Sequence, residues 1–234
     1  MKKYIFSIIA VAVMALTSCT NRDPEGLTRV TTYAVITLEG GNSIQVDKGT
    51  SFVDPGYSAD LGGEDVTKEL MIESNVNTAK SGVYSITYTY VNADGFAASA
   101  VRKVVVLDPN SPIEGFYTTD ANSYRLYNGA QTAYKGAYQS LIIDNGDGTV
   151  SIDDVLAGWY GQRAGYGASY YMAADLSVDA DGNIDLIDSY IPGWGDGLED
   201  FADGKFDAAT GDITYVATYV SGMEFHVTLH KNSK

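Results

Sequence analysis

The sequence predicts an all-β protein in which a β-sandwich precedes an antiparallel β-barrel or sandwich built as a meander. Three observations lead to this prediction. Between residues 30 and 107, no window sustains the apolar period of 3.6 residues that a helix requires. Short apolar stretches instead alternate with polar residues at a period of two, as in half-buried strands. Turns rich in Gly, Asp and Asn separate these stretches along the chain, which is the pattern of successive hairpins.

The first 29 residues predict an exported protein that is held by lipid. Lys2 and Lys3 precede an apolar run, Tyr4 to Leu16, that is too short to span a bilayer and matches the core of an export signal. The run ends in Leu16-Thr17-Ser18-Cys19, which resembles the lipobox of bacterial lipoproteins. The resemblance implies removal of residues 1–18 as a signal peptide and acylation of Cys19, with residues 19–29 as a tether. The alternative is an ordinary secretory signal with a stray cysteine.

Residues 30–108 predict a single β-sandwich. Tyr84, Ile86, Tyr88 and Tyr90 share one face of a strand, and Asn92-Ala93-Asp94-Gly95 supplies the turn to the next strand. The segment resembles the bacterial Ig-like modules of surface proteins in the order and spacing of its turn and core residues: Gly49, Phe52, Asp54-Pro55-Gly56, Ala59, Asp65-Val66-Thr67, Val76-Asn77-Thr78, Gly82-Val83-Tyr84, Ile86, Tyr88, Asn92, Gly95, Arg102, Val104 and Val106. The resemblance implies an Ig-like β-sandwich that serves as a spacer or adhesive module.

A boundary is predicted where two prolines follow the sandwich. Residues 109–112 would form a stiff linker, and residues 113–234 a second domain. Residues 1–110 carry 12 acidic and 9 basic side chains, whereas residues 111–234 carry 18 and 6. Such an acidic chain repels phosphate backbones, so we expect no nucleic-acid partner. The second part also holds both tryptophans and 12 of the 18 tyrosines, so we expect the functional site there.

Three hairpins and a final alternating strand predict the antiparallel barrel or sandwich of the second domain. The hairpins join residues 141–143 to 150–152, 176–178 to 184–187, and 205–207 to 213–215 across turns rich in Asp and Gly. In the last strand, Phe225, Val227 and Leu229 alternate with His226, Thr228 and His230. A closed or nearly closed meander would protect the strand edges.

The sequence predicts no catalytic residue, no cofactor and no metal site. It contains no nucleophile elbow or phosphate loop, and its single cysteine is Cys19. The loop that begins at Asp179 has Ile184 where a calcium-binding EF-hand needs glycine, although separate loops could still supply calcium ligands. His226 and His230 lie about 13 Å apart on a strand, so one metal ion cannot bridge them.

Two aromatic loops are the candidate ligand-binding site. Residues 158–171 contain five aromatic side chains and one arginine among four glycines, and residues 191–197 add the second tryptophan. Exposed aromatic rings stack on the apolar faces of sugars and lose little side-chain entropy on binding. The alternative is that these rings pack as core or cover a sheet edge. The ligand-binding residues we predict are Trp159, Tyr160, Arg163, Tyr166 and Trp194.

The whole chain resembles the two-domain surface lipoproteins of Bacteroidetes, many of which belong to glycan-uptake systems. The resemblance implies a non-enzymatic lipoprotein of the outer membrane, facing the cell exterior, that binds an extracellular glycan. Attachment facing the periplasm is the alternative for its location. An accessory subunit that binds an outer-membrane protein is the alternative for its function. A glycoside hydrolase is the third reading, but the adjacent acids Asp153-Asp154 and Glu199-Asp200 would point to opposite faces of a strand.

Overall fold

The computed structural model describes residues 31–233. The predicted signal peptide, Cys19 and the tether lie outside the described residues. Within them, no helix is long and apolar enough to cross a bilayer. The all-β prediction is confirmed, because the helical segments are limited to a 3-10 turn at Thr67–Glu69, a π-helix at Trp159–Arg163 and a 3-10 turn at Ala168–Tyr170. The domain boundaries at residues 30–108, 109–112 and 113–234 stay predictions.

Seven strands in the first part of the chain form two sheets. One sheet has the order β1-β3-β4 and the other has the order β2-β7-β6-β5, in which β2 runs parallel to β7. The predicted β-sandwich is therefore confirmed. The strands are β1 (Val35–Leu38), β2 (Ser43–Asp47), β3 (Tyr57–Leu61), β4 (Glu64–Asp65), β5 (Met71–Ser74), β6 (Gly82–Val91) and β7 (Ala97–Leu107).

The alternation in β6 builds the core of these sheets. Ile86, Tyr88 and Tyr90 are buried, while the intervening residues face outward, as the period of two predicts. The Tyr84 hydroxyl donates to the Lys80 carbonyl at 2.8 Å and so closes the loop that precedes the strand. A tyrosine that bonds back to the backbone in this way is a recurrent feature of strand corners in Ig-like sandwiches.

A buried arginine, which the sequence did not single out as a core residue, joins the two sheets. Arg102 is fully buried on β7 and donates to the carbonyls of Glu39 and Gly56, both at 2.7 Å. Its guanidinium also lies 3.5 Å from the Asp54 carboxylate, which accepts the Tyr88 hydroxyl. The buried charge is therefore held by acceptors from the facing sheet, as a desolvated cation requires.

The second part of the chain is a closed antiparallel barrel of eight strands. The strands pair in the order β8-β11-β12-β13-β14-β15-β16-β17, and β17 pairs with β8 to close the circle. The hairpin β9–β10 extends from β17 outside the circle. The strands are β8 (Gly115–Thr119), β9 (Tyr124–Tyr127), β10 (Ala130–Ala133), β11 (Gln139–Asp144), β12 (Thr149–Ile152), β13 (Ala173–Val178), β14 (Asn183–Tyr190), β15 (Asp200–Phe206), β16 (Ile213–Tyr219) and β17 (Met223–Lys231).

All three predicted hairpins are confirmed by their registers. Ile142 pairs with Ile152, Leu176 pairs with Leu186, and Phe206 pairs with Ile213. In β17 the three apolar residues point into the barrel core, while the two histidines lie outside it. Strand alternation thus placed the last strand correctly.

The two ends of the barrel carry different connections. The turns after β11, β13 and β15 are short and lie at one end, next to the residues that lead into β8. The connections β12–β13 and β14–β15 are longer and lie at the opposite end, because successive strands of a meander reverse direction. At the short-turn side of the molecule, Val105 and Leu107 of β7 pack against Leu141 of the barrel.

Candidate functional site

The two predicted aromatic loops meet at the long-connection end of the barrel. The Trp194 ring lies 4.7 Å from the ring of Tyr160 and 4.9 Å from that of Tyr170, measured between centroids. Both contacts are edge-on, which is a favoured geometry for aromatic pairs. Tyr166 and Tyr219 complete the group, at 6.2 and 6.1 Å from Trp194. We call these five residues the aromatic cluster.

The aromatic cluster has an exposed face and a buried base. Tyr166 is 56% exposed and Trp194 is 44% exposed, although both contact other rings. Tyr160 and Tyr170 are half-buried, and Tyr219 is buried. Neighbouring rings restrict the side chains of Tyr166 and Trp194 before any ligand arrives. This restriction lowers the entropic cost of binding.

A buried carboxylate shapes the loop that carries Tyr160. Asp154 is fully buried and accepts the backbone N–H groups of Leu156, Gly158 and Met172 at 3.1, 3.0 and 3.2 Å. Burial raises the pKa of Asp154 to about 7, against the opposing effect of these amides. The π-helix that follows needs a glycine at position 161, since a Cβ there would lie 2.0 Å from the Tyr171 ring. π-helical turns are frequent at functional sites.

Backbone hydrogen bonds hold the second loop against the first. The N–H of Gly193 donates to the carbonyl of Ser169 at 2.7 Å, and the N–H of Ile191 donates to the carbonyl of Asp196 at 2.8 Å. The Tyr219 hydroxyl donates to the Asp196 carboxylate at 2.8 Å. Burial and this carboxylate together raise the pKa of Tyr219. The position of Trp194 is thus fixed by contacts on both sides of its loop.

Two of the five predicted site residues lie beneath the aromatic cluster. Trp159 is only 3% exposed, and the guanidinium groups of Arg125 and Arg163 lie 4.9 and 4.1 Å from the centroid of its ring. Arg163 also donates to the Tyr134 carbonyl at 3.2 Å. As positioned, the Trp159 ring offers no open face to a ligand. Trp159 thus packs in the core, as the alternative interpretation of the aromatic loops had it, whereas Tyr166 and Trp194 are exposed to solvent.

Sequence reasoning missed two members of the aromatic cluster. Tyr170 belongs to the aromatic stretch of the first loop but was not among the predicted site residues. Tyr219 ends β16, far along the chain, and only barrel closure brings it within 6.1 Å of Tyr160. No spacing rule in the sequence could have indicated that contact.

Three of the four acidic residues considered for glycoside hydrolysis accept backbone N–H groups. Asp153 accepts the N–H of Leu141 at 2.7 Å, next to the fully buried Asp154. Glu199 accepts the N–H groups of Ser221 and Gly222, at 3.2 and 3.3 Å. These carboxylates support turns in the barrel.

The histidines are bound to carboxylates on the outside of the barrel. His226 contacts Glu224 at 3.0 Å, and its ring stacks on Tyr124 at 4.4 Å. His230 lies between Asp120 and Asp212, at 2.9 and 3.0 Å, and these contacts raise its pKa. Across residues 31–233, no three His, Cys, Asp or Glu side chains form a group that could hold a metal ion.

Comparison with known proteins assigns the chain to a family. The model of the Ig-like domain of bacterial surface proteins matches residues 36–106, and the model of a C-terminal domain matches residues 107–231. The crystal structure of the lipoprotein BT2262 from Bacteroides thetaiotaomicron is 34% identical in sequence, with a TM-score of 0.73. The alignment covers 85% of this chain and 100% of that one. The chain belongs to the family of this lipoprotein.

Two further solved structures are much less similar to this chain. A protein of unknown function from Bacteroides ovatus is 14% identical, with a TM-score of 0.32, over 75% of this chain and 66% of that one. The M60 catalytic domain with two CBM51 domains of ZmpB from Clostridium perfringens is 13% identical, with a TM-score of 0.29. The alignment covers 87% of this chain and 22% of that one. At these TM-scores neither structure supports an inference about the chain. No curated protein matches the sequence.

Proposed function

We propose that the chain is a non-enzymatic surface lipoprotein of the outer membrane that binds an extracellular glycan through the aromatic cluster. The observation that carries the proposal is the meeting of Tyr160, Tyr166 and Trp194 from two separate loops into one partly exposed aromatic face. Rings that are held by their neighbours present apolar surface at low entropic cost, which suits the C–H faces of sugars. Trp159 and Arg163 act from below as supports.

The path of the chain supports a location for the site away from the membrane. An anchor at Cys19 would precede the Ig-like sheets, and the chain enters the barrel at the end with the short turns. The aromatic cluster lies at the opposite end. A ligand outside the cell would then reach the cluster without approaching the lipid surface.

Support for binding without catalysis comes from the carboxylates around the cluster. Asp196 accepts the Tyr219 hydroxyl, and Glu199 accepts two backbone N–H groups. A glycosidase needs two carboxyl groups that face a common substrate, one as acid and one as base or nucleophile. Both of these carboxylates are instead engaged in holding loops.

A glycan array with matched variants tests the binding proposal. We expect Trp194→Ala to weaken binding about tenfold or more, as loss of an aromatic anchor does at interfaces, and Tyr166→Ala to weaken it less. Phe96→Ala is the control, because Phe96 is a similarly exposed ring in the turn between β6 and β7. Equal binding by Trp194→Ala and the parent would refute the site. A membrane protein that co-purifies only with an intact cluster would instead favour the accessory-subunit function.

The lipid anchor and the side of the outer membrane on which the protein lies are tested in cells. Palmitate labelling should be lost in Cys19→Ala, because the thiol is the predicted acylation site. Protease added to intact cells should remove the protein if it faces the exterior. A soluble, unlabelled parent protein would contradict the lipid anchor. Protection from protease until the outer membrane is permeabilised would place the protein on the periplasmic side.

A further inference from the structure

A cavity of about 780 Å³ opens at the short-turn end of the barrel, opposite the aromatic cluster. Its walls come from the turns after β11, β13 and β15 and from Pro112 and Ile113, which lead into β8. Pockets that hold small organic ligands measure about 300–1,000 Å³. The cavity is therefore large enough for such a ligand.

The floor of the cavity is apolar. Ile113, Val150 and Phe206 line it, and all three are buried members of the barrel core. Val178 adds a half-buried side chain that packs on the same core. A ligand with an apolar group would remove this floor from water and gain about 25 cal/mol for each Å² buried.

The rim of the cavity is acidic. It carries four carboxylates, Asp144, Asp179, Asp181 and Asp207, and a single cation, Lys205. The Lys205 ammonium donates to the Asp181 carbonyl at 2.7 Å and to the Asn183 side chain at 3.0 Å. The four carboxylates therefore outnumber the lysine by three charges, and the lysine is held by amide oxygens.

Turn hydrogen bonds fix the rim carboxylates in place. Asp144 accepts the N–H of Gly146, and Asp207 accepts the N–H of Ala209, both at 2.8 Å. Asp179 accepts from the side chain and the backbone of Asn183, and these bonds lower its pKa. Asp179 is therefore ionised at neutral pH, and the rim attracts positive charge without rearranging.

We propose that this cavity binds a small amphipathic cation, an organic amine whose apolar part covers the floor while its ammonium group faces the rim. Charge complementarity selects this occupant, because an anionic ligand would meet three unbalanced negative charges at the rim. The apolar floor favours an amine with a hydrocarbon or aromatic group over a bare ion. The site is independent of the aromatic cluster, which lies at the other end of the barrel.

Dansylcadaverine tests the proposal, since it joins an aromatic group to a primary amine. We expect saturable binding to the full-length protein with one probe per chain, followed by dansyl fluorescence. N-acetyl-dansylcadaverine keeps the aromatic group but lacks the charge, and should bind at least about tenfold more weakly. Raising the salt concentration from about 0.05 M to about 0.5 M should weaken binding of the cationic probe and leave binding of the acetylated probe unchanged, because ions screen exposed charges.

Variants at each end of the barrel locate the site. The double variant Asp181→Asn/Asp207→Asn should bind the probe several-fold more weakly, at about threefold for each exposed carboxylate removed. Ala180→Trp should abolish binding by filling the mouth of the cavity. Trp194→Ala should bind the probe like the parent, which separates this site from the aromatic cluster. Thermal unfolding of each variant verifies its fold. Equal binding of the two probes, or loss of binding in Trp194→Ala alone, would overturn the proposal.

Discussion

Replacing Asp154 by asparagine tests the energetics of the loop that carries the aromatic cluster. Burial raises the pKa of Asp154 from 3.8 to about 7, and each pKa unit corresponds to about 1.4 kcal/mol. Below about pH 4 the carboxyl is protonated in both the folded and the unfolded chain. Between about pH 4 and 7 only the unfolded chain releases the proton, so stability falls as pH rises. The full loss is about 4 kcal/mol, of which about 3 kcal/mol falls between pH 5 and 8.

The Asp154→Asn variant removes this titration. It also loses the hydrogen bond from Gly158, because the amide nitrogen cannot accept, at a constant cost of about 1–3 kcal/mol. Urea unfolding at several pH values, followed by tryptophan fluorescence, gives the free energies of unfolding of parent and variant. The difference in the free energy of unfolding between parent and variant should change by about 3 kcal/mol between about pH 5 and 8. Burial also raises the pKa of Glu114 and Asp153, and both remain in the variant, so the difference isolates Asp154. A constant difference across this range would refute the reasoning.

Three further predictions follow from contacts outside this loop. Arg102→Met should lower the free energy of unfolding by about 3 kcal/mol or more, because it removes the buried cation that bonds the Glu39 and Gly56 carbonyls of the facing sheet. Iodide should quench Trp194 and spare Trp159, so a Trp194→Ala variant should show a single protected tryptophan. The NMR titration of His230 should give a pKa above 6.5, and Asp212→Asn should lower it.

Each of these measurements has a matched control. Lys103→Met replaces the exposed neighbour of the buried arginine and should change stability by less than about 0.5 kcal/mol. Equal losses in the two methionine variants would contradict the role of the buried charge. Two quenchable tryptophans in the parent would contradict the burial of Trp159. An unchanged His230 titration in Asp212→Asn would contradict the contribution of that carboxylate.

Local patterns predicted the last strand and four of the hairpin pairings, β6–β7, β11–β12, β13–β14 and β15–β16. The alternation of Phe225, Val227 and Leu229 determined which face of the last strand enters the core. One hairpin signal was present but unused: Asn128-Gly129 joins β9 to β10, and both residues have the positive φ angles that this turn requires. Pattern alone left barrel and sandwich open, because closure depends on the pairing of β17 with β8, more than a hundred residues apart.

The candidate site could be predicted only in part, because residue type does not determine burial. Trp159 and Trp194 both follow glycine in loops rich in glycine and aromatic residues, yet one lies in the core and the other is exposed. The difference arises from partners outside the loops. Arg125 of β9 and Phe225 of β17 cover Trp159, whereas Trp194 contacts rings that themselves lie near the surface.

Barrel closure also explains why the cavity escaped sequence reasoning. In the sequence, its acidic turns read as three separate hairpins, and each aspartate has a sufficient explanation as a turn residue. Antiparallel pairing brings these turns to one end of the barrel, where their charges add and the core ends beneath them. The same alternation sends the two aromatic loops to the opposite end. The strand order thus separates an acidic mouth from an aromatic face, and a ligand bound at one end leaves the other accessible.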